Sequence, residues 1–340
     1  MVVLNSPGIQ SDKMQVKHAI ITGITGQDGA YLAQYLISKN YSVTGILHPG
    51  RNSNLYRLKY LGIEAEINFE EIDITQPLNG QKLFTQYKPD EFYHLAGQSS
   101  VAESFKTPFP SLDYNINSIL VLLESLRESG RSTRLYYSSS SEIFGNATHL
   151  PVTIHSLINP INPYGLSKAT GYALVSLFRQ MYGLYAVSGI VFNHESYLRP
   201  DHFFVKKVIK HAVLISQGKM DMLHVGNIDV RRDFGDAREY VKAFWHMLQS
   251  GQPEDFIISS GTSISLREII YYVFDQLGVD HSRINQDPGL FRPADAVNMV
   301  GDNSPIRMKT GWTYSASFYE VLDALIQEEM QNINLESKAY

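Results

Sequence analysis

Along the first half of the chain, short apolar runs bounded by glycine, proline and polar residues alternate with longer stretches whose apolar positions recur every three to four residues. The first pattern reads as strands buried on both faces, the second as helices packed along one side. His18 to Thr22 is accordingly a strand feeding a glycine turn, Gly23 to Gly29, with a helix from about Ala30 to Ser38 and a second strand at Ser42 to Leu47. Further strands are expected at Ile67 to Ile72, Glu91 to Leu95, Arg134 to Tyr137 and Tyr185 to Phe192, with helices at Gln81 to Gln86, Leu112 to Glu128 and Tyr164 to Met181. Such alternation builds an α/β fold with a doubly wound parallel sheet, whose ligand crevice lies beyond the carboxyl ends of the strands. The glycine turn, Asp73, His94 to Gln98, the serines from Ser138 and Asn193 all follow predicted strands, so they gather at that edge.

Beyond Asn193 the rhythm loosens. Helices are expected at Phe203 to Gln217, Arg238 to Leu248, Leu266 to Leu277 and Ser317 to Asn332, with short strands at Met222 to Val225 and Phe256 to Ser259. Gly226 to Asp229 reads as a turn, and Arg231 to Phe234 as the approach to the following helix. The expected organisation is a nucleotide-binding domain over residues 17–192 that carries the catalytic groups, and a smaller lobe, mainly 193–332, interleaved from several late segments.

Composition narrows the function classes. With 340 residues and 44% hydrophobic side chains the chain can bury a sizeable core. A net charge of −5 with scattered lysines and arginines argues against a nucleic-acid partner. The absence of cysteine removes disulfides and thiolate chemistry, and no spacing of His, Asp and Glu resembles a metal site, so no metal is expected. Met1 to Gln15 carries only a four-residue apolar run, and no segment reaches the length of a membrane span, so the cytoplasm is the default location and no membrane partner is expected.

The chemistry concentrates between Ser138 and Lys168. Tyr164 and Lys168 are four apart on a predicted helix and share a face, so the ammonium can sit below the phenol. A nearby cation favours the phenolate, which lets Tyr164 act as a base toward a sugar hydroxyl at neutral pH. The serines after the strand supply a hydroxyl, and Glu142 adds a second acid/base group. Tyr-x-x-x-Lys alone recurs by chance, and serines before a turn are ordinarily a solvated loop, so the βαβ context carries the weight. There the glycines of the first turn let the backbone approach a pyrophosphate, although the spacing is G-x-x-G-x-x-G rather than the commoner G-x-G-x-x-G.

Thr22-Gly-Ile-Thr-Gly-Gln-Asp-Gly29, Ser138 to Gly145, Tyr164 to Lys168 and Ile190-Val-Phe-Asn-His-Glu-Ser196 together resemble the extended short-chain dehydrogenase/reductase proteins, and within them the GDP-mannose 4,6-dehydratases. Gly226 to Gly235, Gln252 to Phe256 and Phe291 to Asp295 add agreement, and the likeness spans His18 to about Trp312. It implies a Rossmann sheet with a smaller C-terminal substrate-binding lobe, NADP as cofactor, a GDP-sugar as substrate, and a homodimer or homotetramer paired through the helices at Leu112 to Leu126 and Tyr164 to Met181. The catalytic roles carry over to Ser140, Glu142, Tyr164 and Lys168. For NADP the resemblance implies Gly23, Thr25, Gly26, Gln27, Asp28, Gly29, Arg51, Asn52, Asp73, Ile74, Leu95, Ala96 and Gln98, together with Tyr164 and Lys168. For the nucleotide sugar it implies Ser99, Glu142, Asn193, Lys207, Arg232 and Arg292, while His194 and Glu195 read as groups that satisfy buried backbone.

In the implied reaction Tyr164, helped by Ser140 and Lys168, takes the C4 hydroxyl proton as hydride leaves C4 for the nicotinamide; Glu142 removes the C5 proton and helps expel the C6 hydroxyl, and hydride returns to C6. Two departures stand out. Family members commonly carry paired arginines after the second strand, where this chain has Leu47-His48-Pro49-Gly50-Arg51-Asn52, with no acidic residue to hold an NAD ribose. A second arginine and a glycine are common in the family where this chain has Tyr197-Leu198-Arg199-Pro200-Asp201, which leaves the sugar open between GDP-mannose and GDP-manno-heptose. A nucleotide-sugar epimerase or reductase of the same fold, and a catalytically silent NADP-binding protein, are the alternatives.

Overall fold

Seven strands, all paired in parallel, carry the larger part of the molecule: β1 (His18–Thr22), β2 (Ser42–Leu47), β3 (Ile67–Glu71), β4 (Glu91–His94), β5 (Arg134–Ser140), β6 (Ala186–Val191) and, from much later in the chain, Phe256–Ile258. The structure, a computed structural model, describes residues 16–50 and 53–336; Arg51 and Asn52 of the expected cofactor set lie outside the described residues. From β1 the sheet grows through β2 and β3 to one side and through β4, β5 and β6 to the other, so the strand order reverses between β1 and β4. A reversal of this kind opens a crevice beyond the carboxyl ends of the two strands. Thr22 and His94 are opposite each other at that point.

Side-chain alternation assigns the faces. Among the helices α1 (Gln27–Ser38), α2 (Tyr56–Tyr60), α3 (Pro77–Thr85), α4 (Val101–Lys106), α5 (Pro108–Ser129) and α6 (Pro163–Tyr182), it is α3, α5 and α6 that meet Ile20, Phe92, Leu135 and Tyr137 on one side of the sheet. Ala19, Ile21, Tyr93 and Tyr136 point to the other, toward Leu32 and Leu36 of α1. Helix α6 lies close on β5 because position 171 is glycine: a Cβ there would fall 2.1 Å from the Tyr137 hydroxyl.

The smaller lobe follows directly. β7 (Asn193–Glu195) continues from β6, then come α7 (Phe204–Ser216), β8 (Leu223–Val225) and β9 (Arg231–Asp236), whose second half pairs with β7. α8 (Ala237–Gln249) and β10 (Phe256–Ile258) return to the large sheet, where α8 packs on α1 and β10 pairs with β6. β11 (Ser263–Ser265) and β13 (Asn298–Met299) flank β9, with α9 (Leu266–Gln276), β12 (Ile284–Gln286), α10 (Ser304–Thr310) and α11 (Phe318–Glu336) completing the chain. Val205, Ile209, Phe234, Ile270, Phe274 and Leu322 close a second core between α7, α9 and α11.

Three differences from the pattern-based expectation have physical causes. Helix α1 begins at Gln27 rather than about Ala30, because Gly26 takes the extended N-cap conformation and the glycine turn is itself the helix start. β5 runs on through Ser138, Ser139 and Ser140, whose backbones pair with Gly189, Ile190 and Val191, so the serines form the end of a central strand rather than a solvated loop. Arg231–Asp236 is a strand although four of its six residues are charged, since tertiary pairing on both sides fixes it.

Candidate active site

One cavity of about 1230 Å³ lies along the switch point between the two lobes. At its large-sheet end, Gly23 takes a left-handed φ of 74° and a Cβ there would come 2.8 Å from Ala96 N, so the turn lies against the backbone following β4. A Cβ on Gly29 would meet Gly23 O at 2.2 Å, which seats α1 on the turn. Among the described residues no side chain caps the α1 N-terminus, so its first N–H groups are available to an anion. The Gln98 Oε1 atom is buried here without a hydrogen-bond partner among the described residues. A glycine cradle, an uncapped helix start and an unspent acceptor fit the pyrophosphate and amide groups of a dinucleotide.

Asp28, in the first turn of α1, would by its charge repel such an anion. Its carboxylate, however, accepts from His194 Nε2 at 2.9 Å and from Gln27 Nε2 at 3.0 Å. Burial alone would raise the Asp28 carboxyl; the imidazolium overcomes this and holds it at about 2, while Asp28 raises His194 against the opposing effect of burial. Gln27 also accepts from Ser196 Oγ at 2.7 Å, so α1 is locked to the start of the smaller lobe. His194 therefore does more than satisfy backbone: it neutralises a carboxylate at the mouth of the cradle. Glu195 Oε2 and Arg199 Nε, 3.8 Å apart, are buried beside it without hydrogen-bond partners among the described residues.

The middle of the cavity holds Ser140, Glu142, Tyr164 and Lys168 together. Ser140 ends β5, and its hydroxyl accepts from Glu142 N at 3.3 Å, capping the 3-10 turn Ser141–Phe144. Glu142 is thus not a cap; its carboxylate is the group the turn presents. Asn162 caps α6 by accepting from Gly165 N at 2.7 Å, and its amide nitrogen donates to Glu142 Oε2 at 2.7 Å. Gly165 allows the approach, since a Cβ there would lie 2.6 Å from Glu142 O.

The phenol and the ammonium differ from the expectation drawn from their spacing. Lys168 Nζ donates to Ser138 O at 2.7 Å and lies 5.9 Å from the centre of the Tyr164 ring, 5.0 Å from that of Tyr137. Burial pushes the Tyr164 phenol up to about 12, with a hydrogen bond from Ser140 pulling the other way, and burial lowers the Lys168 amine to about 8. Desolvation dominates, so the site holds a protonated phenol rather than a phenolate at neutral pH.

The structure brings most of the expected residues to this one cavity. From the large sheet come Gly23, Thr25, Gly26, Gln27, Asp28, Gly29, Ile74, Leu95, Ala96, Gln98 and Ser99, and from the smaller lobe Asn193, Lys207, Arg232 and Arg292. Asp73 does not reach the wall: its carboxylate is turned to Thr75 N and Oγ1, at 3.0 and 2.7 Å. The basic groups are already engaged. Lys207 Nζ donates to His224 O at 2.6 Å, while Arg232 donates to Arg231 O and Ala296 O, each at 2.7 Å, and pairs with Asp295. Arg292 also approaches Asp295, at 3.5 Å.

Of the divergent stretch from Tyr197 to Asp201, Tyr197 stacks on Tyr60 and sits under Lys206, away from the cavity, and Leu198 is fully buried; Arg199 and Pro200 reach the wall. Sequence reasoning did not single out Asn162, although Asn-Pro before a helix is an N-cap signal, nor Arg57, whose guanidinium ties α2 to Leu198 O and Thr25 O. Among the described residues no helix is long and apolar enough to cross a membrane, and no three His, Asp or Glu side chains are grouped to hold a metal.

Comparison with known proteins agrees with this geometry. Residues 20–325 match the family model described as GDP-mannose 4,6 dehydratase. The chain is 34% identical to a GDP-mannose 4,6-dehydratase of Vibrio cholerae, over 93% of this chain and 94% of that protein. It superposes on RMD from Pseudomonas aeruginosa, solved in complex with NADPH, with a TM-score of 0.78 and 26% identity, over 93% of this chain and all of the other. The dTDP-glucose 4,6-dehydratase DesIV of Streptomyces venezuelae shares the fold, with a TM-score of 0.84 at 19% identity, over 94% and 98% of the two chains.

Proposed function

The chain belongs to the GDP-mannose 4,6-dehydratase family, and from this we propose that it is a lyase removing water across C5 and C6 of a GDP-linked mannose-type sugar, with NADP as its resident cofactor. NADP supplies a reversible hydride acceptor when bound, so oxidation at C4 and reduction at C6 cancel. The glycine turn with Asp28, Ile74, Leu95, Ala96 and Gln98 would hold it. The observation that carries the reading is a second acid/base group, Glu142, in the same cavity as Ser140, Tyr164 and Lys168. Oxidation or epimerisation at C4 needs no proton taken from C5, whereas elimination does.

In this reading Tyr164 receives the C4 hydroxyl proton. A phenol at about 12 is protonated at neutral pH, so it must be lowered for the transfer; Ser140, by hydrogen bonding to the phenolate, and Lys168 are the chain's own groups for that work. The resulting ketone acidifies C5. Glu142 takes the C5 proton, the C6–O bond breaks, and Glu142 returns the proton to the departing hydroxyl as water; reduction at C6 is completed by a proton delivered to C5, for which the one held by Tyr164 serves, so both groups are restored. Lys207, Arg232 and Arg292 would face the diphosphate, Arg232 and Arg292 exchanging Asp295 for phosphate oxygens. Leu166, Leu177, Met181 and Tyr182 leave an apolar stripe exposed on α6, which we assign to pairing with a second copy, and the reading places the enzyme in the cytoplasm.

The test is incubation with NADP and a panel of GDP-, dTDP-, UDP- and CDP-sugars, GDP-mannose and GDP-manno-heptose included, followed by mass spectrometry. Loss of one water without net cofactor reduction is expected for a GDP-sugar. An unchanged mass with a new stereoisomer, a gain of two hydrogens, or cofactor binding without turnover would each overturn the dehydratase reading.

A further inference from the structure

Glu142 stands on a four-residue turn, and its side chain is only partly buried. A glutamate in such a place samples several rotamers unless it is held, so a fixed geometry needs a partner. Among the described residues the one hydrogen bond to its carboxylate comes from Asn162 Nδ2, at 2.7 Å to Oε2. Asn162 is itself buried and cannot turn: its Oδ1 accepts from Gly165 N at 2.7 Å, and a backbone N–H is a donor only, so the amide oxygen faces the helix and the nitrogen faces the carboxylate.

We propose that Asn162 is a positioning residue for the elimination step, an inference that rests on the role given above to Glu142. Its amide couples two parts of the site. One end caps α6, the helix that presents Tyr164 two residues later; the other fixes Oε2 of the C5 base. The distance between the group serving C4 and the group serving C5 is thereby set by a single rigid side chain. The amide N–H donates to a lone pair of Oε2 and so fixes the plane in which the carboxylate lies. Oε1 has no hydrogen-bond partner among the described residues, and it is the oxygen left for C5. The proton moves from C5 to Oε1 as the C6–O bond breaks, then passes from Oε1 to the departing hydroxyl, restoring the carboxylate and leaving the Asn162 bond intact throughout.

Two variants separate this from capping. Asn162→Ser keeps an N-cap acceptor but is too short to reach Glu142; Asn162→Asp keeps the cap and sets a second carboxylate against the first. With GDP-mannose, or whichever GDP-sugar the panel identifies, Asn162→Ser is expected to melt within a few degrees of wild type and to keep its C4 oxidation rate. Elimination should slow about 100-fold, with reduced cofactor building up and deuterium entering C5 more slowly from heavy water. In Asn162→Asp the acid limb of the elimination pH profile should move up by about one unit or more, and turnover should recover at higher pH, because two adjacent carboxylates cannot both ionise easily. Wild-type elimination in a folded Asn162→Ser, or equal loss of C4 oxidation and elimination, would overturn the proposal and leave a plain helix cap. Glu142→Gln is the control: full elimination in that variant would sink the role of Glu142 itself, whereas a stalled Glu142→Gln beside an unaffected Asn162→Ser would remove only Asn162.

Discussion

The Asp28–His194 pair gives a prediction whose sign and size both come from the structure. Asp28 falls from an ordinary 3.8 to about 2 on folding. That difference is worth about 2 kcal/mol at neutral pH, since one unit is about 1.4 kcal/mol. A depressed carboxyl contributes fully above its unfolded value and loses the contribution as pH falls from about 4 to about 2. His194 is raised above 6.5, so the same interaction, seen from the base, is complete below 6.5 and drains as pH rises through the folded value. The two descriptions concern one contact and are not summed.

Asp28→Asn should therefore cost about 2 kcal/mol at pH 5.5, lowering the urea midpoint by about 0.7 M if m is about 3 kcal/mol/M. His194, still buried but without its carboxylate, should then prefer the neutral form, so the variant gains stability between pH 5.5 and 8 where the wild type does not. The gap between the two proteins must narrow as pH rises. Urea titrations of both at pH 5.5, 7.5 and 9 read this directly. A gap that stays constant over that range, or one below about 0.5 kcal/mol at pH 5.5, would refute an ion pair at this site.

Tyr164→Phe should abolish substrate-dependent reduction of the cofactor, followed at 340 nm, while leaving the melting temperature near that of the wild type; residual C4 oxidation would remove the phenol from its role. Lys168→Met should likewise abolish turnover, yet melt at or above the wild type at pH 7. Burial already lowers the amine to about 8, so an ammonium there is costly, and the lost bond to Ser138 O offsets only part of the gain. A drop of more than about 10 °C would contradict that account. Gly29→Ala should weaken NADP binding at least about tenfold by fluorescence titration, because its Cβ would lie 2.2 Å from the Gly23 carbonyl oxygen, a backbone atom that cannot step aside without opening the cradle. Unchanged affinity would show that the turn does not hold the pyrophosphate.

Much of this protein is written in its residue pattern. The stretches His18–Thr22 and Ser42–Leu47, whose middles are mostly apolar, became strands with the expected limits, because a parallel sheet covered on both faces buries the side chains on both. The order of strands and helices, together with the glycine turn and the Ser-x-Glu and Tyr-x-x-x-Lys spacings, was enough to bring Ser140, Glu142, Tyr164 and Lys168 to one edge, since local spacing and chain topology place residues after strands. Energies set by surroundings were not legible. The spacing of Tyr164 and Lys168 says that they share a helix face, but whether cation or desolvation governs the phenol depends on what else encloses it, and burial prevails. The bond from Asn162 to Glu142 crosses from α6 to the turn after β5, and that from His194 to Asp28 joins the smaller lobe to the first helix. Neither pair is close in sequence, and side-chain hydrogen bonds between distant segments leave no periodic pattern along a chain. Such contacts, like the charged strand Arg231–Asp236, are decided when packing brings distant backbones together and leaves each buried polar group with a small choice of partners.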